Sequence, residues 1–285
     1  MADCASCSPD KQKTCGQAKE NCTEETSLET TLSRIKNVFM VMSGKGGVGK
    51  TSTAVNLAAT LANKGYKIGL MDVDLHGPDV PRMLGLTETL DSIVEYKLRP
   101  LSYSKNLKAI SIESLMLDKD EAIVWRGPIK NSAIRQFVSD VCWGDLDFLM
   151  IDSPPGTGDE PLSVVQNIPM AKAIIVTTPQ EISLADVRKS IRFAQTVGME
   201  ILGLGENMGA YICPHCNETV SLFGAGGGAK TAKEMKVSLL GEIPFDTRMT
   251  EAGNEGKVFV DTYPDAKATQ IYNEIAEKLI EKSNL

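Results

Sequence analysis

Seven short apolar runs recur along the chain, separated by longer stretches in which apolar residues return with helical spacing. Each run is four to six residues long and rich in Val, Ile, Leu and Met, which is typical of buried strands. The runs cover residues 38–42, 68–73, 107–112, 148–151, 173–177, 201–205 and 238–243. This alternation predicts an α/β fold with a mainly parallel β-sheet and helices on both faces. In such a sheet, ligands bind beyond the carboxyl ends of the strands.

The helical spacing is clearest at residues 52–64 and 265–281. In the second segment Ile271, Ile275 and Leu279 form one apolar stripe, which is more typical of a core helix than of a partner surface. The chain has 285 residues, of which 42% are apolar and 24% are charged. These values are ordinary for a soluble protein with one large core.

The N-terminal residues differ from the rest of the chain because they are polar and rich in cysteine. We predict a tail and linker over residues 1–33 and one folded domain over residues 34–285. Four of the seven cysteines lie in the tail: Cys4, Cys7, Cys15 and Cys22. Because a polar tail cannot bury these side chains in a core, a ligand role is the natural interpretation.

The four tail thiolates can close one metal site. A disulfide framework is the alternative, but it needs an oxidising compartment, and the sequence shows neither an apolar export leader nor an apolar span of membrane length. We therefore expect a cytoplasmic protein. Zinc accepts four sulfurs as readily as an iron–sulfur cluster does. Only one tail pair has the tight CxxC spacing, which favours a [4Fe–4S] cluster over zinc without excluding zinc.

A glycine-rich loop joins the first apolar run to the helix at residues 52–64. The residues of the loop and of the turn that follows are Gly44, Lys45, Gly46, Gly47, Val48, Gly49, Lys50, Thr51 and Ser52. Glycines let backbone N–H groups converge on phosphate oxygens, and the helix N-terminus adds the positive end of its dipole. Lys50 can then reach the β- and γ-phosphates, while the Thr51 hydroxyl holds Mg²⁺. Because the motif stands between a strand and a helix, we interpret it as a nucleoside-triphosphate site rather than a structural turn.

Three aspartates stand at the ends of two predicted strands. Asp72 and Asp74 close the second apolar run, and Asp152 follows the fourth. An aspartate at the carboxyl end of a strand beside a P-loop is the Walker B position, which binds Mg²⁺ directly or through water. Asp72 and Asp74 either serve the same site or only solvate the strand end. In the loop after Asp152, we expect the Gly156 N–H to face the γ-phosphate.

A second CxxC pair, Cys213 and Cys216, lies far from the tail. Two thiolates cannot complete a four-ligand centre, so either another side chain such as His215 joins them or a symmetric dimer adds a second pair across its two-fold axis. A thioredoxin-like redox pair is disfavoured because a glycine-rich loop follows rather than a helix. We expect His215 to be a solvated neighbour and Cys142, beside Trp143, to be a small core residue.

The charge balance argues against two classes of partner. The chain carries 30 basic and 37 acidic residues, a net charge of −7, which weighs against DNA binding through a basic surface. The C-terminal helical segment balances lysine with glutamate and lacks the basic amphipathic face of a membrane anchor. We predict neither nucleic acid nor membrane as a partner.

The glycine-rich loop carries an extra lysine, Lys45, directly after its first glycine. In this respect it resembles the deviant Walker A ATPases, the group of MinD, ParA and the nitrogenase iron protein. In that group the extra lysine reaches across a face-to-face dimer to the partner's phosphates. The resemblance implies a homodimer driven by ATP, with Lys45, Lys50 and Asp74 as catalytic residues. It also implies that Asp74 orients the attacking water and that Asp72 lies near the Mg²⁺ shell.

Further motifs resemble those of the Mrp/ApbC iron–sulfur cluster carrier ATPases and cover nearly everything between residues 35 and 282. They lie at residues 43–50, 74–79, 126–128, 152–159 and 206–208, followed by the CxxC at 213–216. The cysteine tail is similar to that of the eukaryotic cytosolic cluster-scaffold members, although its tight pair lies at the start of the tail rather than inside it. Gly205 and Gly209 also depart from the family, which has valine and serine there. The resemblance implies that Asn207 contacts adenine and that Pro244 lines the adenine pocket.

The function implied by this resemblance is a homodimeric ATPase that uses ATP and Mg²⁺ and hands [4Fe–4S] clusters to apo iron–sulfur proteins. Cys213 and Cys216 would hold one transferable cluster between two subunits, and each tail would hold another. Two alternatives belong to related classes. A nitrogenase-iron-protein-like electron donor is disfavoured because its bridging cysteines lie far apart in the chain rather than as CxxC. A MinD- or ParA-like positioning ATPase is disfavoured by the charge balance.

Overall fold

The computed structural model describes residues 28–74, 77–88, 92–94, 97–115, 127–213, 215–216, 218–283 and 285. The strands are β1 (Ile35–Ser43), β2 (Ile68–Asp72), β3 (Ser92–Val94), β4 (Lys97–Leu98), β5 (Leu101–Ser102), β6 (Leu107–Ile110), β7 (Leu146–Asp152), β8 (Ala171–Thr177), β9 (Ile201–Glu206), β10 (Tyr211–Ile212), β11 (Thr219–Val220) and β12 (Leu239–Glu242). The helices are α1 (Leu28–Ser33), α2 (Lys50–Asn63), α3 (Val80–Met83), α4 (Gly127–Ser139), α5 (Asp159–Asn167), α6 (Glu181–Thr196), α7 (Gly227–Met235), α8 (Thr247–Asn254), α9 (Phe259–Thr262) and α10 (Lys267–Glu281).

Eight strands form one sheet in the order β12–β9–β8–β1–β7–β2–β6–β5. Neighbouring strands run parallel, except that β5 pairs antiparallel with β6 at one edge. The predicted α/β fold with a mainly parallel sheet is therefore confirmed. In β7, Asp152 pairs with Val41 on one side and with Asp72 on the other. The carboxyl ends of the P-loop strand and of both aspartate-bearing strands therefore lie side by side in the sheet.

Helices cover both faces of the sheet, and the central strand β1 shows how. Phe39 and Val41 pack into one hydrophobic cluster, which includes residues of α2 and α10. Met40 and Met42 pack into the other, which includes residues of α4 and α6. Since successive side chains of a strand point to opposite faces, a strand buried on both sides must be apolar throughout. This is why β1 appears in the sequence as a continuous apolar run.

The seven predicted strands are all present. The third ends at Ile110, and Ile112, the last residue of the predicted run, instead begins a 3₁₀ turn, Ile112–Leu115. The predicted helices at 52–64 and 265–281 correspond to α2 and α10. Strand β5 and the two-stranded sheets β3–β4 and β10–β11 were not predicted. Their strands are two or three residues long, too short to leave an apolar pattern.

Helix α1 lies inside the segment predicted as a linker. Leu28 and Leu32 are four residues apart, share one face of the helix and pack against the core cluster that contains Met40. Thr31 is buried as well. The remainder of the predicted tail, residues 1–27, lies outside the described residues, and the division into tail and domain stays a prediction. Within the described ranges, no helix has both the length and the apolar character needed to cross a membrane.

Candidate nucleotide and cluster sites

The P-loop leads from β1 directly into α2, which begins at Lys50. Gly47 and Gly49 have φ angles of 77° and 78°, in the left-handed region that glycine adopts at little cost. A Cβ atom on Gly49 would overlap Nδ2 of Asn207. Gly49 is therefore required both by the backbone conformation and by the close approach of Asn207.

Lys50, Thr51 and Asp152 form a hydrogen-bonded network where β7 ends. Nζ of Lys50 lies 2.6 Å from Oδ1 of Asp152, and the two side chains are only 7% and 1% exposed. The Thr51 hydroxyl donates to Oδ2 of the same carboxylate at 2.7 Å. Burial raises the pKa of Asp152, although the Lys50 ammonium opposes this shift. The structure thus brings the predicted phosphate-binding lysine together with two predicted Mg²⁺ ligands.

Asp72 and Asp74 have different surroundings. Asp72 is fully buried and accepts hydrogen bonds from the backbone N–H groups of Asp74 and Val80, at 3.0 and 3.3 Å. Burial, followed by the nearby Asp152 carboxylate, holds the pKa of Asp72 well above its ordinary value. Asp74 accepts from the Gly77 N–H at 3.3 Å and lines the cavity over the P-loop. Asp72 therefore organises the loop after β2, and of these two aspartates only Asp74 lines the cavity.

The cavity over the P-loop has a volume of about 430 Å³, and Lys45 is among its lining residues. Lys45 is half-buried, and its ammonium forms no ion pair within the described part of the chain. The N–H of Gly156, which we expected to face the γ-phosphate, donates to the Ser43 carbonyl at 2.8 Å instead. This bond ties the loop after β7 to the end of β1.

A second cavity of about 470 Å³ adjoins the first and shares four lining residues with it. Asn207 and Pro244, the two predicted adenine contacts, both line it. Asn207 is buried, and its Nδ2 donates to the carbonyl of Val48 in the P-loop at 2.9 Å. The predicted phosphate and adenine contacts therefore lie along two adjoining cavities.

Several residues of the second cavity were not predicted from the sequence: Arg82, Met208, Phe245, Asp246, Met249 and Asn254. Phe245 and Asp246 follow Pro244 directly, so the motif could have been extended to include them. Arg82 comes from the short helix α3, and its Nε lies 2.6 Å from Oε1 of the buried Glu113. The position of Arg82 depends on this tertiary contact, which no local sequence pattern predicts.

The second CxxC pair lies on a β-hairpin. Strands β10 and β11 pair antiparallel, with Tyr211 opposite Val220, and we call residues 211–220 the CxxC hairpin. Cys213 is half-buried, Cys216 is exposed, and both thiols are free. Backbone N–H groups of Cys216 and His215 point to the Cys213 sulfur and lower the pKa of its thiol. His215 is exposed. A hairpin position differs from the helix start of a thioredoxin-like pair. Among the described residues, no group of three or more His, Cys, Asp or Glu side chains is arranged to hold a metal ion.

The profile of the NUBPL iron-transfer P-loop NTPases matches residues 34–280. The chain belongs to this family. It is 44% identical over 275 residues to the iron-sulfur cluster carrier protein of Methanocaldococcus jannaschii, covering 96% of this chain and 92% of the relative. It is also 39% identical over 263 residues to the cytosolic Fe-S cluster assembly factor NUBP2 of Gallus gallus, covering 90% and 97% of the two chains.

Two solved structures are similar in fold to this NUBPL-family chain. A nucleotide-binding protein of Archaeoglobus fulgidus, solved in complex with ADP, superposes with a TM-score of 0.71 at 36% identity, covering 81% of this chain and 91% of that one. The cell division ATPase MinD of Pyrococcus furiosus gives a TM-score of 0.63 at 22% identity, covering 87% and 99%. The second likeness shows the shared fold alone.

Two groups of cysteines complete the description of this NUBPL-family member. The tail cysteines lie outside the described residues, so their ligand role stays a prediction: Cys4, Cys7, Cys15 and Cys22. Cys142 is half-buried, so the expectation of a small core residue was wrong. Its neighbours Val141 and Trp143 are buried. Because successive side chains of an extended segment point in opposite directions, Cys142 is directed away from the core that they fill.

Proposed function

We propose that this protein is an ATP-dependent iron–sulfur cluster carrier, a cytoplasmic homodimer that binds [4Fe–4S] clusters and transfers them to apo iron–sulfur proteins. The observation that carries the proposal is the CxxC hairpin, which presents two free thiols beside a pair of nucleotide-sized cavities. A pair of thiolates at the surface can bind an iron–sulfur cluster and release it again to another protein. A permanent metal centre is usually enclosed by a full set of ligands. The names of the relatives, a cluster carrier and a cluster assembly factor, support the same function.

The nucleotide half of the proposal places the phosphates on the P-loop and the base in the 470 Å³ cavity, against Asn207 and Pro244. Lys50 would leave the Asp152 carboxylate and neutralise the β- and γ-phosphates. Asp74, which lines the phosphate cavity, would orient the attacking water. Because Lys45 forms no ion pair within the described part of its own chain, it is available to the phosphates of a partner subunit. Hydrolysis to ADP and phosphate would be coupled to cluster transfer.

Magnesium fits the residues at the end of β7. The Thr51 hydroxyl and the Asp152 carboxylate lie 2.7 Å apart, with the carboxyl of Asp72 on the adjacent strand. Hydroxyl and carboxylate oxygens are the protein ligands that Mg²⁺ prefers, usually one or two of them together with substrate phosphates. When bound, the ion offsets the charge that develops on the β- and γ-phosphate oxygens.

The cluster half of the proposal requires two subunits. A [4Fe–4S] cluster takes four cysteine thiolates, and each hairpin supplies Cys213 and Cys216. A symmetric dimer doubles any surface patch that lies on its axis, so two hairpins meeting there would supply the set of four. The Lys45 argument requires that the same axis also bring the two P-loops face to face.

The decisive experiment removes both hairpin thiols. Cys213→Ala combined with Cys216→Ala should lower the iron and sulfide content of anaerobically reconstituted protein by about one [4Fe–4S] cluster per dimer. His215→Ala is the matched control, because His215 lies between the two cysteines yet is predicted not to bind the cluster; it should keep the full iron content. Retention of all iron in the double variant would exclude the hairpin as the cluster site.

A further inference from the structure

Phe245 lies between the CxxC hairpin and the second cavity and contacts both. Its side chain lines the 470 Å³ cavity beside Pro244. On its other side, the ring lies 6.1 Å from the ring of Tyr211 and 5.7 Å from that of Phe223, measured between centroids, and both contacts are edge-on. Tyr211 begins β10 and Phe223 follows β11. The aromatic side chains at the two ends of the hairpin therefore rest on a wall of the proposed base-binding cavity.

Backbone contacts hold the start of the hairpin to the same wall. Tyr211 and Phe245 form an isolated parallel bridge, and the N–H of Gly209 donates to the Ile243 carbonyl at 2.9 Å. Between Asn207 and Gly209, the chain passes through Met208, which also lines the cavity and has a φ of 56°. A non-glycine residue in this region is uncommon and is often found at functional positions.

The far end of the hairpin is fixed as well. Beyond Phe223 the chain enters α7, where the Gly228 N–H donates to the carboxylate of Glu206 at 2.5 Å. Glu206 is buried and directly precedes Asn207, whose side chain bonds to the P-loop. The start of the hairpin is thus anchored to Phe245, which lines the nucleotide cavity, and the chain after the hairpin is anchored to Glu206, the neighbour of the lining residue Asn207. Cys216, at the tip of the hairpin, remains exposed.

We propose that Phe245 is a positioning residue that couples occupancy of the nucleotide cavity to the hold of the CxxC hairpin on its cluster. A base that fills the cavity restrains the Phe245 ring, and the ring in turn restrains Tyr211 and Phe223. A restrained hairpin opens less often, so a bound nucleotide slows escape of the cluster. Coupling between two binding sites is reciprocal at equilibrium. If bound nucleotide raises the affinity of the hairpin for the cluster, a bound cluster therefore raises the affinity for the nucleotide by the same factor in dissociation constant. This inference rests on the proposed cluster-carrier function.

The test measures the rate at which an iron chelator strips reconstituted protein, with and without saturating ADP. In the wild type, ADP should slow iron removal by about fivefold or more, the lower end of typical coupling between sites. Phe245→Leu should reduce this ratio to within about twofold, and Phe245→Tyr, which keeps the ring, should restore it. Phe223→Leu should also reduce the ratio, although Phe223 is not among the residues that line the cavity. Phe193→Leu is the matched control, since Phe193 is a half-buried phenylalanine packed on the core far along α6.

The outcomes separate the two proposals. Equal iron content in the wild type and in the Cys213→Ala, Cys216→Ala variant would refute the cluster site itself. A wild-type cluster that depends on the hairpin but leaves the chelator at the same rate with and without ADP would overturn the coupling alone. The coupling would also be overturned if Phe245→Leu kept the wild-type ratio of iron-removal rates with and without ADP. A merely structural role of Phe245 would change iron content or stability, whereas the proposed role changes the ADP ratio and the affinity for ADP of the cluster-loaded protein.

Discussion

The P-loop site and the CxxC hairpin carry the two halves of the proposed chemistry, and they are built in contrasting ways. The P-loop follows a strand buried on both faces, and its Lys50 forms a buried ion pair with Asp152. The hairpin consists of two strands of two residues each, with an exposed Cys216 at its tip. The P-loop must keep one geometry, because it binds the same nucleotide in every cycle. The second site must release its cargo, and it offers only half of the ligands that a cluster needs.

The largest effect should come from the two P-loop lysines. Lys50→Ala should abolish nucleotide binding, because Lys50 is the lysine proposed to neutralise phosphate charge within its own subunit. Lys45→Ala should leave ATP binding near normal while hydrolysis falls by on the order of 10³-fold, as for other transition-state cations supplied across an interface. Equilibrium binding of a fluorescent ATP analogue and single-turnover phosphate release measure the two effects separately.

Mixing experiments show whether Lys45 acts on the partner subunit. Lys45→Ala and Asp74→Ala should each be inactive alone. In a heterodimer of the two, one composite site combines Asp74 of one subunit with Lys45 of the other, so part of the activity should return. No recovery in verified heterodimers would place Lys45 in its own subunit's site and remove the main support for a face-to-face dimer.

The cysteine tail is predicted to hold a second cluster site. In protein that already carries Cys213→Ala and Cys216→Ala, the remaining iron should belong to the tail, and adding Cys15→Ala should remove it. Cys142→Ser is the control, since Cys142 lies between the buried Val141 and Trp143 and is not among the predicted ligands. Uptake of colourless zinc, rather than iron and sulfide, would show that the tail is a structural zinc site.

The P-loop site could be predicted from the sequence more completely than the CxxC hairpin, for a physical reason. Long strands buried on both faces and a glycine loop between a strand and a helix leave local patterns, so β1, β7 and the P-loop were predicted. The bond from Asn207 to Val48 joins residues 159 positions apart, and the contact of Tyr211 with Phe245 joins two short segments. Such contacts are set by the order of strands in the sheet. The paired N–H of Gly156 and the outward direction of Cys142 were missed for the same reason.

The rigidity of the P-loop can be tested at Gly49. Replacement by alanine at a left-handed position costs about 1–2 kcal/mol. At Gly49 the added Cβ would also meet Nδ2 of Asn207, and overpacking of this kind costs about 1–3 kcal/mol more. Gly198→Ala is the matched control, with a φ of 72° and no atom within 4 Å of the added Cβ. Urea unfolding should show the larger loss of stability for Gly49→Ala; equal losses would mean that Asn207 moves aside without cost.

The smallest effect concerns the thiol of Cys213 before any cluster binds. Because N–H groups of Cys216 and His215 stabilise its thiolate, its pKa is lower than that of an ordinary cysteine. The thiolate is the species that reacts with iodoacetamide, so a lowered pKa moves half-maximal alkylation to a pH below about 8.5, the value for a free cysteine. Peptide-resolved mass spectrometry over a pH series measures this midpoint for Cys213 alone. Unfolding in urea removes the N–H donors and should return the midpoint to the ordinary value. If the folded and unfolded midpoints coincide, the hairpin does not prepare the thiolate, and the hold of the hairpin on a cluster must come from the dimer alone.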